Sequence, residues 1–229
     1  MIVEIISIGT EILLGDILDT NSQYLAEQLT SSGFDIHYIN SVGDNRERIY
    51  DSIEQAVRRS DIVITTGGLG PTDDDLTREI ISKVSGRKLS LQDNLLCELK
   101  DLFNHKKYKM SENNKKQAYL PEGSAALKNE LGTAPGILLE TDDYTIISMP
   151  GVPFEMKTIF KNEVIPYLIS KNTNIIRSRV LNFFLVGESN LEMKIKDILD
   201  SQANPTLALL AGNGEVKLRI TAKGSSEEE

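Results

Sequence analysis

A strand that empties into glycines constrains this chain more than any other stretch. Residues 61 to 77 read Asp-Ile-Val-Ile-Thr-Thr-Gly-Gly-Leu-Gly-Pro-Thr-Asp-Asp-Asp-Leu-Thr. Ile62, Val63 and Ile64 are apolar without alternation, the pattern of a central parallel strand buried on both faces. Gly67, Gly68 and Gly70 remove side chains where a ligand approaches the backbone, and Leu76 to Val84 carries apolar residues at helical spacing. Strand, glycine turn and helix in that order make a phosphate site.

The acids that follow narrow the chemistry. Asp73, Asp74 and Asp75 would repel a bare pyrophosphate, so a hard divalent cation such as magnesium is implied between them. A P-loop needs Gly-Lys-Ser/Thr after the turn, and a dinucleotide fingerprint needs a third glycine where Asp73 stands; neither motif is present. The plain alternative is that the three aspartates cap and charge the next helix, a task for which one Asp suffices.

The 229 residues suit one large domain and a small one. A formal charge of -9 argues against a general nucleic-acid binder, and the short basic run Lys106, Lys107, Lys109 reads as a solvated helix end. The single cysteine, Cys97, excludes an internal disulfide and a cysteine-based zinc cluster, and its setting in Leu95-Leu96-Cys97-Glu98-Leu99 predicts a core thiol on a helix. With no leader pattern and no apolar run of membrane-spanning length, a cytoplasmic protein without a membrane partner is expected.

The elements read as an α/β chain: a three-layer, mostly parallel sheet with helices on both faces, followed by a small α+β domain. Strands are expected at Ile2 to Ile8, Asp35 to Val42, Ile62 to Ile64 and Tyr144 to Met149, with helices at about Asn21 to Ser32, Arg46 to Arg59 and from Pro153 on. That last helix should bury Phe154, Ile159, Phe160 and Val164 and approach its end at Pro166. Residues Ser90 to Gln117 read as a polar helical excursion. The large domain is placed at 1–170 and a βαββ module at 171–223, with strands at Arg179 to Val186, Thr206 to Leu210 and Glu215 to Thr221 and a helix from Glu188 to Leu199. Residues 224–229 read as a disordered tail.

In an open parallel sheet ligands collect at the carboxyl ends of the strands, so the turns there should converge. They supply Gly9-Thr10-Glu11, Gly43-Asp44-Asn45, Gly67 to Asp75 and Pro150 to Glu155: glycine amides, hydroxyls and carboxylates, without a nucleophile beside a histidine. His37 falls inside a strand and His105 in the polar helical stretch, both structural or solvated. The economical chemistry is metal-assisted attack of water on phosphorus, one carboxylate holding the ion and another orienting the water. Asp44 and Asp75, on adjacent loops, are the first candidates; the plain reading of Asp44 is a turn residue before a helix.

Five ordered motifs then carry a resemblance: Gly9-Thr10-Glu11-Ile12-Leu13-Leu14-Gly15, Asn21, Val42-Gly43-Asp44-Asn45, the run Thr66 to Thr77, and Pro150-Gly151-Val152-Pro153-Phe154-Glu155-Met156. Across nearly its whole length the chain resembles the N-terminal part of the competence/damage-inducible CinA proteins, with a MoaB/MogA-like molybdenum-cofactor-biosynthesis domain and, through Gly187-Glu188-Ser189 and Gly214-Glu215-Val216, a KH-like middle domain. The resemblance implies hydrolysis of ADP-ribose to AMP and ribose 5-phosphate, dependent on Mg2+ or Co2+ and helped by K+. It implies Asp44 and Asp75 as the functional aspartates, and no deamidase activity, since that belongs to a C-terminal domain outside these residues. Taken together with the loops, it assigns Asp44 and Asp75 to catalysis and Asp44, Asp74 and Asp75 to the metal. Thr10, Glu11, Asn21, Gly67, Gly68, Gly70, Thr72, Gly151 and Glu155 are assigned to substrate, although Glu11, Asn21 and Glu155 would equally serve as caps or loop braces. A homodimer is expected, and RNA binding is not, because the turn Gly212-Asn213-Gly214 is too short for a nucleic-acid clamp loop. The alternatives are molybdopterin binding or adenylylation, and a non-catalytic adaptor that binds nucleotide without cleaving it.

Overall fold

A computed structural model describes residues 1–171, 175–212 and 214–224. Along the chain come β1 (Ile2–Ile8), α1 (Thr10–Leu14), α2 (Thr20–Ser31), β2 (Asp35–Val42), α3 (Arg46–Arg59), β3 (Ile62–Thr66), α4 (Thr77–Ser85), β4 (Leu89–Leu91) and α5 (Asp93–His105). A 3-10 turn, Glu112–Ala118, leads to β5 (Tyr119–Pro121), β6 (Ala125–Leu127), β7 (Gly136–Glu140) and β8 (Thr145–Met149). Then α6 (Pro153–Ile159) passes through a π-helical turn, Phe160–Val164, into α7 (Ile165–Lys171).

These elements make one sheet of order β2-β1-β3-β8-β7-β6, parallel from β2 to β8 and antiparallel at β7 and β6. The chain runs from β1 outward to β2, then returns past β1 to β3. Strand order therefore reverses between β1 and β3, which opens a crevice at their carboxyl ends. Alternation along each strand divides the core between two faces. Val3, Ile5, Ile62 and Ile64 pack with Leu25 and Leu29 of α2 and Met156 and Ile159 of α6. Ile6, Ile8 and Val63 face the other way, onto Ile49, Ile53 and Ala56 of α3 and Ile80 and Ile81 of α4. Helix α3 is locally well specified: Asn45 caps it by accepting the Arg48 amide at 3.1 Å, Glu47 sits in its first turn and Arg58 and Arg59 in its last.

A buried carboxylate interrupts this core. Glu4 of β1 is fully buried, and its carboxylate accepts from Arg59 Nη2 at 2.7 Å, Arg59 Nε at 2.9 Å and Asn40 Nδ2 at 2.7 Å. The guanidinium lies 3.7 Å from the Tyr38 ring centroid. Glu4 holds the Arg59 pKa above its ordinary value through that hydrogen bond, against the smaller lowering from burial.

Several expectations are corrected. Cys97 is exposed, because α5 buries only Leu99, and a residue two positions away points about 200° around the helix. Phe154 is 71 % exposed for the same reason, two positions before buried Met156. The last helix ends five residues past Pro166, at Lys171, so it takes in Ser170 and Lys171 of the expected linker; Pro166 falls at the second position of α7, just after the π-helical turn, where a missing N–H costs little. The stretch from Ser90 to Gln117 is helical over α5 and the 3-10 turn, but its first two residues belong to β4, paired antiparallel with β5.

From Lys171 the chain forms a second unit: β9 (Ile175–Phe184), α8 (Glu188–Lys194), α9 (Lys196–Ser201), β10 (Thr206–Gly212) and β11 (Glu215–Gly224). Its antiparallel sheet has the order β10-β11-β9, a βαββ arrangement. The helix expected to run from Glu188 to Leu199 breaks at Ile195, and the first strand ends at Phe184 rather than Val186. Asn172, Thr173 and Asn174 of the expected linker, Asn213 of the expected tight turn, and residues 225–229 of the expected tail lie outside the described residues. Among the described residues no helix is long and apolar enough to cross a membrane.

Candidate functional site

At the crevice between β1 and β3 the glycines let the chain cross itself. Gly67 adopts φ 108°, and a Cβ there would lie 2.0 Å from the Ile8 carbonyl oxygen; Gly68 adopts φ 67°, and its Cβ would lie 2.2 Å from Thr77 Oγ1. From the sequence these glycines are expected to face a ligand. The structure gives Gly67 and Gly68 first to the protein, because the end of β1 and the start of α4 occupy the space a side chain would need. The loop is anchored as well: Gly67 N donates to Met149 O at 2.9 Å, Thr77 N to Gly68 O at 3.1 Å, and Thr77 Oγ1 to Gly67 O at 2.9 Å.

Asp73, Asp74 and Asp75 do not cap α4. Leu76 precedes its first residue, and no side chain caps that end. Instead Asp75 Oδ2 turns back to accept the Thr72 amide at 2.8 Å and the Thr72 hydroxyl, while Gly70 leaves room for it: a Cβ at Gly70 would lie 2.4 Å from that oxygen. Across the crevice Asp44 Oδ2 accepts the Thr10 amide at 2.8 Å, and the Asp44 amide donates to Thr10 Oγ1 at 3.1 Å. Both aspartates thus have Oδ2 fixed by a threonine, and no described protein group donates to either Oδ1. Thr72 also influences Asp74: with the loop's backbone and nearby Lys116, its hydroxyl holds the Asp74 carboxyl below the ordinary 3.8, even though the single hydroxyl proton points to Asp75.

A cavity of about 470 Å³ gathers Glu11, Asp44, Gly67, Gly68, Gly70, Asp74, Asp75, Gly151 and Glu155 in its wall. Three assigned residues stand one bond behind it. Thr10 and Thr72 hold the aspartates, and Asn21 Nδ2 donates to Gly151 O at 2.8 Å and Thr66 Oγ1 at 2.9 Å. Asn21 is therefore a brace between α2, β3 and the turn after β8, although its buried Oδ1 has no protein partner. Glu155 is held by Asn129 Nδ2 at 2.7 Å and approaches Gly132, where a Cβ would lie 2.1 Å from its Oε2. His37 on β2 and His105 at the end of α5 are absent from this wall.

Sequence reasoning missed the cations behind the acids. Lys116 Nζ donates to Thr72 O at 3.1 Å and to Asp75 O, and pairs with Glu79 Oε1 at 3.3 Å. Arg78 is fully buried and donates Nη2 to Leu69 O at 3.2 Å, with Nε and Nη1 unpartnered among the described residues. Burial lowers its pKa to about 10, opposed by the charges of Glu79 and Asp75. Arg78 was legible as the second residue of a helix after an acidic loop. Lys116 was not, because 41 residues separate it from the Asp75 carbonyl it holds.

The donor set suits a hard cation: five carboxylates, Glu11, Asp44, Asp74, Asp75 and Glu155, line one cavity, and no sulfur or imidazole of the described residues does. Among the described residues no three His, Cys, Asp or Glu groups converge closely enough to cage an ion. That fits an ion held by one or two carboxylates and completed by water and substrate phosphates, the habit of magnesium.

Residues 4–170 match the family model described as a probable molybdopterin binding domain, and residues 178–229 match the damage-inducible protein CinA KH domain. A relative from Halothermothrix orenii, named as a competence-damage inducible protein, is 58 % identical over 227 residues, covering 99 % of this chain and 55 % of its own length. The chain thus spans about half the length of the curated relatives it matches. The crystal structure of the protein CinA from Thermoplasma acidophilum is 30 % identical with a TM-score of 0.67, the match covering 73 % of this chain and 97 % of that one. A molybdopterin biosynthesis protein from Mycobacterium abscessus, 16 % identical with a TM-score of 0.50 over 74 % of this chain and 92 % of its own, shares the fold.

Proposed function

The chain belongs to the CinA family, with a MoaB/MogA-like domain of molybdopterin-binding fold followed by a CinA KH domain, and we propose that it hydrolyses the pyrophosphate bond of ADP-ribose to AMP and ribose 5-phosphate. The observation that carries this reading is the pair Asp44 and Asp75. They come from loops after different strands, line one cavity, and each keeps Oδ1 clear of protein donors while a threonine fixes Oδ2. Carboxylates locked in this way are positioned before substrate arrives, which is where electrostatic catalysis gains most.

Asp44, Asp74 and Asp75 are the carboxylates available to the divalent ion, Mg2+ or Co2+; one or two of them would hold it, and water and substrate phosphates would complete its shell. When bound, such an ion neutralises the pyrophosphate and makes a bound water more acidic. The chain's own contribution is positional. Lys116 holds the Thr72 and Asp75 carbonyls and keeps the acidic loop closed on itself. In the reaction a water oxygen forms a bond to one phosphorus as the bridging P–O bond breaks. The departing phosphate keeps the electron pair, and the water's proton passes to a carboxylate Oδ1 and on to solvent. In this reading Glu11, Glu155 and the glycine loop border the substrate, K+ assists, and the enzyme works as a cytoplasmic homodimer without nucleic acid or membrane.

The test is to incubate the protein with ADP-ribose and Mg2+ or Co2+ beside an Asp75→Asn control and to assay AMP and ribose 5-phosphate. Cleavage lost in the variant supports the reading; an intact substrate with the parent protein from neutral to mildly alkaline pH rejects it. One observation favours a second reading, since the family model over residues 4–170 carries the description of a molybdopterin binding domain. Tight retention of molybdopterin without pyrophosphatase turnover would select it, whereas stoichiometric ADP-ribose binding with zero turnover would select an adaptor.

A further inference from the structure

Beside the acidic cavity lies a larger one of about 780 Å³, between α5 and the segment from β6 to Pro135. We propose that it receives the nucleoside half of the substrate, an inference that rests on the pyrophosphatase reading above.

Its position supports this first. The two cavities share Gln117 and Thr133 as wall residues. A second link runs through Asn129, which lines the larger cavity and donates to Glu155 Oε2, in the wall of the smaller one, at 2.7 Å. The joint between them is polar: buried Gln117 donates Nε2 to Thr133 Oγ1 at 3.0 Å. A ligand with its phosphates at Asp44 and Asp75 has an adjoining space within reach, and the volume falls in the range typical of small-molecule sites, about 300–1,000 Å³.

Chemistry then decides which part of the ligand belongs there. Leu95, Leu99 and Leu102 lie at i, i+4 and i+7 on α5 and form an apolar strip facing the cavity. A flat base can lie on such a strip; a phosphate or a bare sugar gains nothing from it. The rim carries Glu98, Glu130 and Lys128, and Lys128 and Glu130 pair at 3.6 Å, so the unbalanced charge is the Glu98 carboxylate. A rim with an unbalanced carboxylate disfavours phosphate, and that carboxylate accepts from groups that donate hydrogen bonds, such as ribose hydroxyls and an exocyclic amine. Adenosine has an apolar face, an amine and a diol. The terminal ribose has only hydroxyls, which leaves it to the open side of the acidic cavity.

Adenosine itself is the probe, because it separates this inference from catalysis. Calorimetry on the full 229-residue chain should show adenosine binding, and Leu102→Trp, which fills the cavity, should weaken it by roughly ten-fold or more. Glu98→Lys, on the exposed side of the rim where folding is not at stake, should weaken it as well. Failure of the parent chain to bind adenosine, or binding unchanged in both variants, overturns the proposal. ADP-ribose turnover is scored separately. Adenosine binding lost in the variants, with no turnover by the parent chain, would reject the pyrophosphatase and keep the nucleoside site. Turnover whose KM ignores both substitutions would keep the enzyme and reject the site.

Discussion

Thr10 and Asp44 hold each other by reciprocal bonds: the Thr10 amide donates to Asp44 Oδ2 at 2.8 Å, and the Asp44 amide donates to Thr10 Oγ1 at 3.1 Å. Two loops that leave neighbouring strands are tied where they meet, and the carboxylate is oriented without any ligand. Replacing Asp44 by Asn keeps the acceptor but removes the charge. Asp44→Asn and Asp75→Asn are each expected to lower kcat for ADP-ribose by roughly 100-fold or more, with urea midpoints close to the parent's. Steady-state kinetics beside equilibrium unfolding checks this, and a full loss of fold would show the aspartates to be structural.

Gly67 and Gly151 are neighbours in the same cavity wall, yet they should respond differently to alanine. At Gly67 the new Cβ meets the Ile8 carbonyl oxygen at 2.0 Å with φ at 108°, so Gly67→Ala should cost about 3 kcal/mol or more. At Gly151 the nearest atom is Gly67 Cα at 3.4 Å, an ordinary contact, and Gly151→Ala should fall within about 1 kcal/mol of the parent. Denaturant titration of the two variants measures the difference.

Lys116→Met removes the cation that bonds the Thr72 and Asp75 carbonyls. The expected result is faster hydrogen exchange in the segment Thr72 to Asp75 and a stability loss of about 1–2 kcal/mol. Unchanged exchange in that loop would mean Lys116 is held by Glu79 alone.

Arg59→Ala leaves the Glu4 carboxylate buried with only Asn40 and a longer contact to Ser60 as donors. Stranding the buried Glu4 carboxylate should cost up to about 3 kcal/mol, less whatever water entering the space of the part-exposed Arg59 returns, and the double change Glu4→Met with Arg59→Met should recover much of that. The comparison is a double-mutant cycle by urea unfolding.

Asp74 supplies a pH signature. Its folded pKa lies below the ordinary 3.8, so its stabilising contribution is present above that value and lost as pH falls through the lower folded one. Carboxyl NMR should give a midpoint under 3.8, and Thr72→Val, which removes the largest cause of the lowering, should move it upward. Neutral pH dependence of turnover should not follow Asp74.

The central strands were legible because nothing competes with the pattern there: Ile62, Val63 and Ile64 have no polar face to turn outward, and Asn45 marks the start of α3 by a bond it makes locally. The site loops were legible as loops for the same local reasons. What the sequence withheld depends on partners far along the chain. The Ile8 carbonyl that makes Gly67 obligatory, the Thr72 and Asp75 carbonyls that Lys116 bonds, and the Asn129 amide on Glu155 are contacts between distant segments, and no periodicity encodes them. Cys97 and Phe154 failed differently. Each sits among apolar neighbours in sequence but on the wrong side of a helix that buries one narrow face.

The crossing at Gly67 also sets limits on how such a chain can be retargeted. A loop in which a single methyl group would collide with the strand beside it has almost no tolerated substitutions, so whatever it handles stays fixed while the fold survives. Helix α5, with one fully buried residue, carries no such restriction. A designer who wants this scaffold to accept a different organic group should randomise the α5 face and leave the glycines untouched.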